Sequence, residues 1–295
     1  MGRCKLRLGL LVVVPALVSL SLAAEAPLKF KFTTVKVPKA QKTDVYGIND
    51  SGAVVGAFLD RRGVQHGFML ADGTVTTLDD PKGSQTTCSG INASGAIVGF
   101  YFTSEIVLQA FEYKAGKFKD IGPPGASLSQ AFGINDAGHI TGTFADAAGS
   151  HGFLWNGSVY KTLDAPGSVD TEAIGINNKN KVTVLWYDSN FVAHASTFSH
   201  SKYKQIDVPG ATGTYAAGLN DAGDVIYSWV DSANVFHGAL RHNGKYYNFD
   251  HPKSSQTYGN GVNNQNAIAG SFVSDSGSSR GFVGTYGLSP SVALH

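Results

Sequence analysis

Six polar residues stand at one position of a repeating sequence and differ in kind: Asp44, Thr87, Gln130, Glu172, Tyr215 and Tyr258. Two carboxyls, an amide, a hydroxyl and two phenols form a hydrogen-bonding set suited to a sugar or another polar molecule. Each opens the first strand of its repeat, so a closed ring of repeats would gather all six at one mouth of a central channel. Asp44 and Glu172 fall in the first and fourth repeats, on opposite sides. That geometry disfavours a paired acid and base, and no catalytic residue is assigned. The competing reading is a solvated strand edge.

His66, His151, His194 and His237 share another register. Asp79, Asp164, Asp207 and Asp250 lie two residues before a Pro, and Asp60, Asp146, Asp188 and Asp231 open loops. Equivalent atoms around a ring lie far beyond the ~2 Å of a metal–nitrogen bond. The histidines therefore read as local polar bridges, each pinning a loop within its own repeat. Asp at a loop start accepts backbone N–H bonds two residues on. Calcium needs about six to eight converging oxygens, and no Asp-x-Asp-x-Asp loop occurs. No metal or cofactor is expected. The sequence has no nucleophile elbow, phosphate-binding Gly loop, His-Glu-x-x-His or Cys pair. Cys88 shares its register with Val45, Ala131, Ala173, Ala216 and Gly259, which predicts a buried, unreactive thiol.

Six repeats carry these residues. Gly47-Ile48-Asn49 returns as Gly90-Ile91-Asn92, Gly133-Ile134-Asn135, Gly175-Ile176-Asn177, Gly218-Leu219-Asn220 and Gly261-Val262-Asn263, the Asn spaced by 43, 43, 42, 43 and 43 residues. Pro38, Pro81, Pro124, Pro166, Pro209 and Pro252 keep the same intervals. In the first unit, run a is Thr43–Ile48 and run b is Ala53–Leu59, joined by an Asn-Asp-Ser-Gly turn. Run c is His66–Leu70 and run d is Thr74–Asp79, joined by Asp72-Gly73. Four strands in such a period make a β-propeller blade. The fold class is all-β: a six-bladed β-propeller with four strands per blade. Small residues in run a suit strands converging on an axis. The position before the six polar residues, Thr43, Thr86, Ser129, Thr171, Thr214 and Thr257, reads as structural. The run-b aromatics Phe58, Tyr101, Phe144, Trp186, Trp229 and Phe272 should fill the space between blades.

The sixth unit has no run d, but Lys31–Val37 carries its signature at the other end of the chain. The N-terminal strand therefore closes the last blade. Phe32 and Val35, three residues apart, predict a bulge or contacts on both faces of that strand.

The phrase Gly-Ile-Asn-x-x-Gly-x-x-x-Gly followed by His-Gly-Phe appears at Gly47, Gly52, Gly56 and His66-Gly67-Phe68, and again at Gly133, Gly138, Gly142 and His151-Gly152-Phe153. It resembles the extracellular HAF repeat family of bacteria, over residues 30–286. The resemblance implies a secreted bacterial protein and brings no chemistry with it. Units 4 and 5 depart from the phrase. Val184 and Tyr227 replace the second Gly, and Ser196 and Ala239 replace the Phe. Those blades are expected to be the most irregular.

Composition bounds the function. Charged residues make up 15% of the 295, the formal net charge is +1, and Lys and Arg form no runs. Nothing there suits nucleic acid. Residues 1–24 read as a signal peptide, with basic Arg3, Lys5 and Arg7, an apolar Leu8–Leu20 and small residues at the cleavage site. The protein is expected to be secreted or periplasmic, off the membrane once cleaved, with the propeller over 27–287 and a tail over 288–295. The first reading is a monomeric, non-enzymatic scaffold binding a glycan, a peptide or an envelope protein at the channel mouth. The alternative is a polysaccharide lyase or hydrolase using Asp44 or Glu172 beside a Tyr.

Overall fold

The computed structural model describes residues 27–288 except 106 and 253. The expected signal peptide and the tail beyond 288 lie outside the described residues. Blade 1 sets the pattern: strands a (Lys42–Ile48), b (Val54–Leu59), c (Gln65–Ala71) and d (Thr74–Leu78), hydrogen-bonded in that order and antiparallel. Six such blades ring the axis. Blades 3 and 4 are joined into one sheet by a single parallel bridge, Ser150 to Asp170.

The last blade takes its strand d from the N-terminus. Leu28–Thr34 pairs antiparallel with strand c, Ser279–Leu288, with Phe32 opposite Gly284. The strand begins and ends three residues earlier than the 31–37 run expected from sequence. Contact continues past it, because the Val35 N–H donates to the Gly281 carbonyl at 2.8 Å. Phe30 and Phe32 pack on Phe249, with ring centroids 4.9 and 5.9 Å away. The closure leaves neither end of the ring with an unfinished sheet.

The spacing of three along run d is met by contacts on both faces, not by a bulge. Val75 packs with Val45, Val54 and Phe68, whereas Leu78 joins Cys88, Ile97 and Phe111 across the next interface. Phe32 and Val35 split in the same way. Each outer strand thus ties two of the six inter-blade cores together. Cys88 is fully buried in one of them, and burial, then the Asp79 charge, raises its thiol pKa.

Blades 4 and 5 correct the expectation of irregularity. Elsewhere the second Gly faces the Phe of strand c across the sheet: Gly56 opposite Phe68, Gly99 opposite Phe111, Gly142 opposite Phe153, Gly270 opposite Phe282. A Cβ on Gly56 would stand 2.8 Å from the Phe68 ring. In blade 4 the pair is Val184 and Ser196, and in blade 5 it is Tyr227 and Ala239. The bulk has changed strands, and Val184 and Tyr227 are as fully buried as Phe68. Core volume is kept, so both blades retain four strands. Each lacks one pairing at the glycine of strand a.

Candidate functional site: a channel with unlike ends

Strand a carries a β-bulge in every blade, between Val45 and Gly47 in the first and at the matching place in the other five. A bulge re-aims a side chain. Here the residue before the glycine turns toward the axis: Tyr46, Ser89, Phe132, Ile174, Ala217 and Asn260 all line a central cavity of about 350 Å³. Thr87, Phe100, Tyr215 and Ser228 complete the wall. The Phe100 and Phe132 rings meet edge to face at 6.4 Å, and Asn260 donates from Nδ2 to the Val45 carbonyl at 2.8 Å. Burial, reinforced by Asp44, holds the Tyr46 phenol far above its ordinary pKa, so it is a neutral donor.

Below this wall the six glycines touch. A Cβ on Gly90 would lie 2.6 Å from the Phe132 carbonyl oxygen, and one on Gly133 2.6 Å from that of Ile174. Next comes an aliphatic ring, Ile48, Ile91, Ile134, Ile176, Leu219 and Val262, which separates the cavity from the narrow end.

At the narrow end the repeated asparagines form a closed hydrogen-bonded circle. Asn49 Nδ2 donates to the Asn92 carbonyl at 3.1 Å, and the pattern runs blade to blade until Asn263 Nδ2 reaches the Asn49 carbonyl at 2.9 Å. Each asparagine also caps its own turn, as where Asn49 Oδ1 accepts the Ala53 N–H at 3.0 Å. Sequence reasoning found only this turn-capping half of the role. The next residues continue the circle: Asp136 accepts from the Ala93 N–H and Asp221 from the Asn178 N–H, both at 2.8 Å.

The wide end holds the residues singled out from sequence. Thr87 and Tyr215 line the cavity, and Thr87 Oγ1 accepts from Gln65 Nε2 at 2.8 Å. Asp44, Gln130, Glu172 and Tyr258 stand outside that lining, at the starts of their strands, all half-buried. Asp44 accepts a hydrogen bond from Ser279, and Tyr258 donates one to Gln256. The Phe236 ring lies 5.4 Å from Tyr215 and 5.0 Å from Tyr258, gathering three aromatics over blades 5 and 6. Glu172 is electrostatically unusual: burial, then the Asp170 charge, pushes its carboxyl up to about 7. Tyr187 is raised to about 12 by burial, then by Glu172. Asp170 Oδ1 is buried without a hydrogen-bond partner.

Sequence reasoning missed the six bulge residues and the strand-c starts Gln65, Phe236 and Ser279. A signal existed, since Tyr, Ser, Phe, Ile, Ala and Asn are about as unlike as six residues at one register can be.

The histidines do bridge within their own blades. His66 Nδ1 lies 2.8 Å from Asp79 and Nε2 3.6 Å from Asp60, and His151, His194 and His237 repeat the clamp. Asp60 also accepts the N–H groups of Val64 and Arg62, which with His66 hold its carboxyl below the usual range. The run-b aromatics join the inter-blade cores, and those of the clamped blades also lie on these imidazoles, Trp186 over His194 at 4.4 Å and Trp229 over His237 at 4.7 Å.

No family model and no curated protein matches the chain. Solved structures do. A fucose-binding lectin from Aleuria aurantia, in complex with Fucα1-6GlcNAc, aligns with a TM-score of 0.53 at 11% identity, over 88% of this chain and 100% of the lectin. That lectin is described as a six-bladed β-propeller. Virginiamycin B lyase from Staphylococcus aureus aligns at 0.50 and 14% identity, over 88% and 100%. TolB from Acinetobacter baumannii aligns at 0.58 and 14%, over 80% and 64%. At such identities the likeness shows the fold: the protein is a six-bladed β-propeller closed by its N-terminal strand.

Proposed function

We propose that the chain is a secreted HAF-repeat propeller that binds a polar ligand, foremost a glycan, in the central cavity through its wide end. One observation carries this reading. At the depth of the strand-a bulge the wall is aromatic on some blades and polar on others, while one residue deeper every blade places glycine. A wall whose repeat is broken where it faces an open cavity is shaped for an asymmetric occupant. The cavity, at about 350 Å³, has room for a small ligand or the end of a longer one. Tyr46, Phe132 and Tyr215 offer ring faces and edges, and Ser89, Thr87 and Asn260 offer hydrogen bonds. Asp44, Gln130, Glu172 and Tyr258 form the rim. A lectin on the same fold supports the choice of glycan as the first class to screen. The test is a glycan array followed by calorimetry on any hit. Binding abolished in Tyr215→Ala and Phe132→Ala supports the reading, and hits indifferent to both variants refute it.

A second reading rests on Glu172. A carboxyl poised near neutrality beside Tyr187 fits a general acid, as a polysaccharide lyase or hydrolase would use. Turnover that vanishes in Glu172→Gln and Asp44→Asn favours it. Binding without turnover favours the scaffold.

A further inference from the structure

The clamp found in blades 1, 3, 4 and 5 is absent from blade 6, where Arg280 and Lys36 stand at its positions, and from blade 2. Thr103 stands in place of the loop aspartate, Gln109 in place of the histidine and Gly122 in place of the aspartate before the proline. A fourth change accompanies these. In other blades the residue just before the repeated Pro donates its N–H to the strand-a threonine: Asp80 to Thr86 at 3.0 Å, Ala165 to Thr171 at 3.1 Å, Val208 to Thr214 at 3.1 Å, His251 to Thr257 at 3.0 Å. In blade 2 that residue is Pro123, which has no N–H to give. Ser129 Oγ accepts from the Ala110 N–H at 3.1 Å instead. The loop is left to Gly122, whose φ of 150° is open to glycine and strained for other residues. Its N–H donates to the Tyr160 hydroxyl of blade 3 at 2.9 Å.

Where the clamp should stand, a cavity of about 250 Å³ opens between blades 2 and 3. Its chemistry is mixed. The Trp155 indole forms one wall, stacked on Tyr160 at 5.6 Å with Lys119 Nζ 5.2 Å above the ring. Pro123 and Ala126 add apolar surface. Asp120 supplies a carboxylate that also meets Lys82 Nζ at 2.6 Å and the Tyr101 hydroxyl at 3.1 Å. Gln109 Nε2 donates to the Ile121 carbonyl at 2.7 Å and to the Ala110 carbonyl at 3.0 Å, which leaves its Oε1 to accept.

We propose that this inter-blade cavity is a second ligand site, separate from the channel, that takes a single pyranose ring. A sugar ring has apolar C–H faces and hydroxyls that both donate and accept. The cavity matches both: Trp155, Pro123 and Ala126 surface for the faces, the Asp120 carboxylate and the Gln109 Oε1 to accept, and the Lys119 ammonium to donate. Its volume is below that of a drug-sized pocket, which selects one ring over an extended chain.

The test is titration of the native protein with a panel of neutral monosaccharides, read by tryptophan fluorescence and by calorimetry, in a Tyr215→Ala background that disables the channel. One sugar is expected to bind with unit stoichiometry and shift the emission. Gln109→His restores the bulk found in the clamped blades. It should weaken binding at least tenfold without lowering Tm, and Lys119→Ala should weaken it about tenfold. Trp155→Phe should abolish the emission change while the melt stays cooperative. The proposal is overturned if no sugar binds up to tens of millimolar, or if a bound sugar is indifferent to Gln109→His and Lys119→Ala. Failure here leaves the channel reading intact, since that reading is scored on Tyr215 and Phe132.

Discussion

The two ends of the channel are built from the same strands and the same turns, yet they differ in what is left over. At the narrow end every blade contributes the same asparagine, and both halves of its amide are consumed, one by its own turn and one by the next blade. Toward the wide end each blade contributes a different residue at the bulge, and half-buried Glu172 has an acidic neighbour in place of a cation. Uniform side chains in this molecule hold the ring shut. Unlike ones surround the open space. The same contrast separates the clamped blades from blade 2, where losing the repeated residues opens a cavity.

The largest effect should come from breaking the ring itself. A chain beginning at Pro38 loses the closing strand and the burial of Phe30, Phe32 and Val35. We expect a loss of about 5 kcal/mol or more, read as a collapse of the denaturant midpoint. An unchanged midpoint would refute the closure. Next is the exchange of bulk in blade 5. Tyr227→Gly alone should cost about 4 kcal/mol, and adding Ala239→Phe should restore at least half of it, rebuilding the pair of the other blades. Additive losses would mean that the two positions do not share one volume. Gly133→Ala, at the crowded axis, should cost about 3 kcal/mol in a thermal melt, because the atom it meets is backbone.

The wide end should respond differently. Burial, then the Asp170 charge, raises the folded Glu172 carboxyl to about 7 from its ordinary 4.5. Its folded form therefore binds a proton more tightly than its unfolded form. Stability falls as pH rises from about 4.5 to about 7 and stays reduced above that, by up to about 3 kcal/mol. Glu172→Gln should melt higher than the parent at pH 8 and alongside it at pH 4.5. A parent whose excess stability appears instead at high pH would contradict the burial of this group. The smallest effect on stability should be that of Tyr215→Ala, within about 1 kcal/mol, while ligand affinity drops at least tenfold. Should it unfold the ring, Tyr215 belongs to the frame and the contrast between the ends fails there.

Much of the frame was legible because it is repeated. Three marks in one register located the blades, and the missing sixth run d led to the N-terminal strand, although its bounds were set three residues late. The candidate site was only half legible. Asp44, Thr87, Gln130, Glu172, Tyr215 and Tyr258 were found by asking which polar register fails to repeat, but only Thr87 and Tyr215 reach the cavity. The bulge residues escaped because regular alternation puts residues 45 and 47 on the face opposite 46, and nothing in the sequence says which face a bulge will turn inward.

By itself the sequence determined the period, the number of blades, the strands within each and the way the ring closes. These follow from local alternation, turn chemistry and spacing, all of which act over a few residues at a time. Tertiary structure alone decided the rest. It joined six distant asparagines into a circle, since five donate to a residue 42 or 43 positions away and Asn263 closes the ring on Asn49, 214 positions away. It moved the bulk of blades 4 and 5 between strands without loss of core. It put Glu172, which shares a strand face with Asp170, under cover, where the low dielectric and not the residue type sets the charge. And it turned four scattered substitutions in blade 2 into one cavity, because only packing reveals that a histidine, two aspartates and an N–H had occupied a common space.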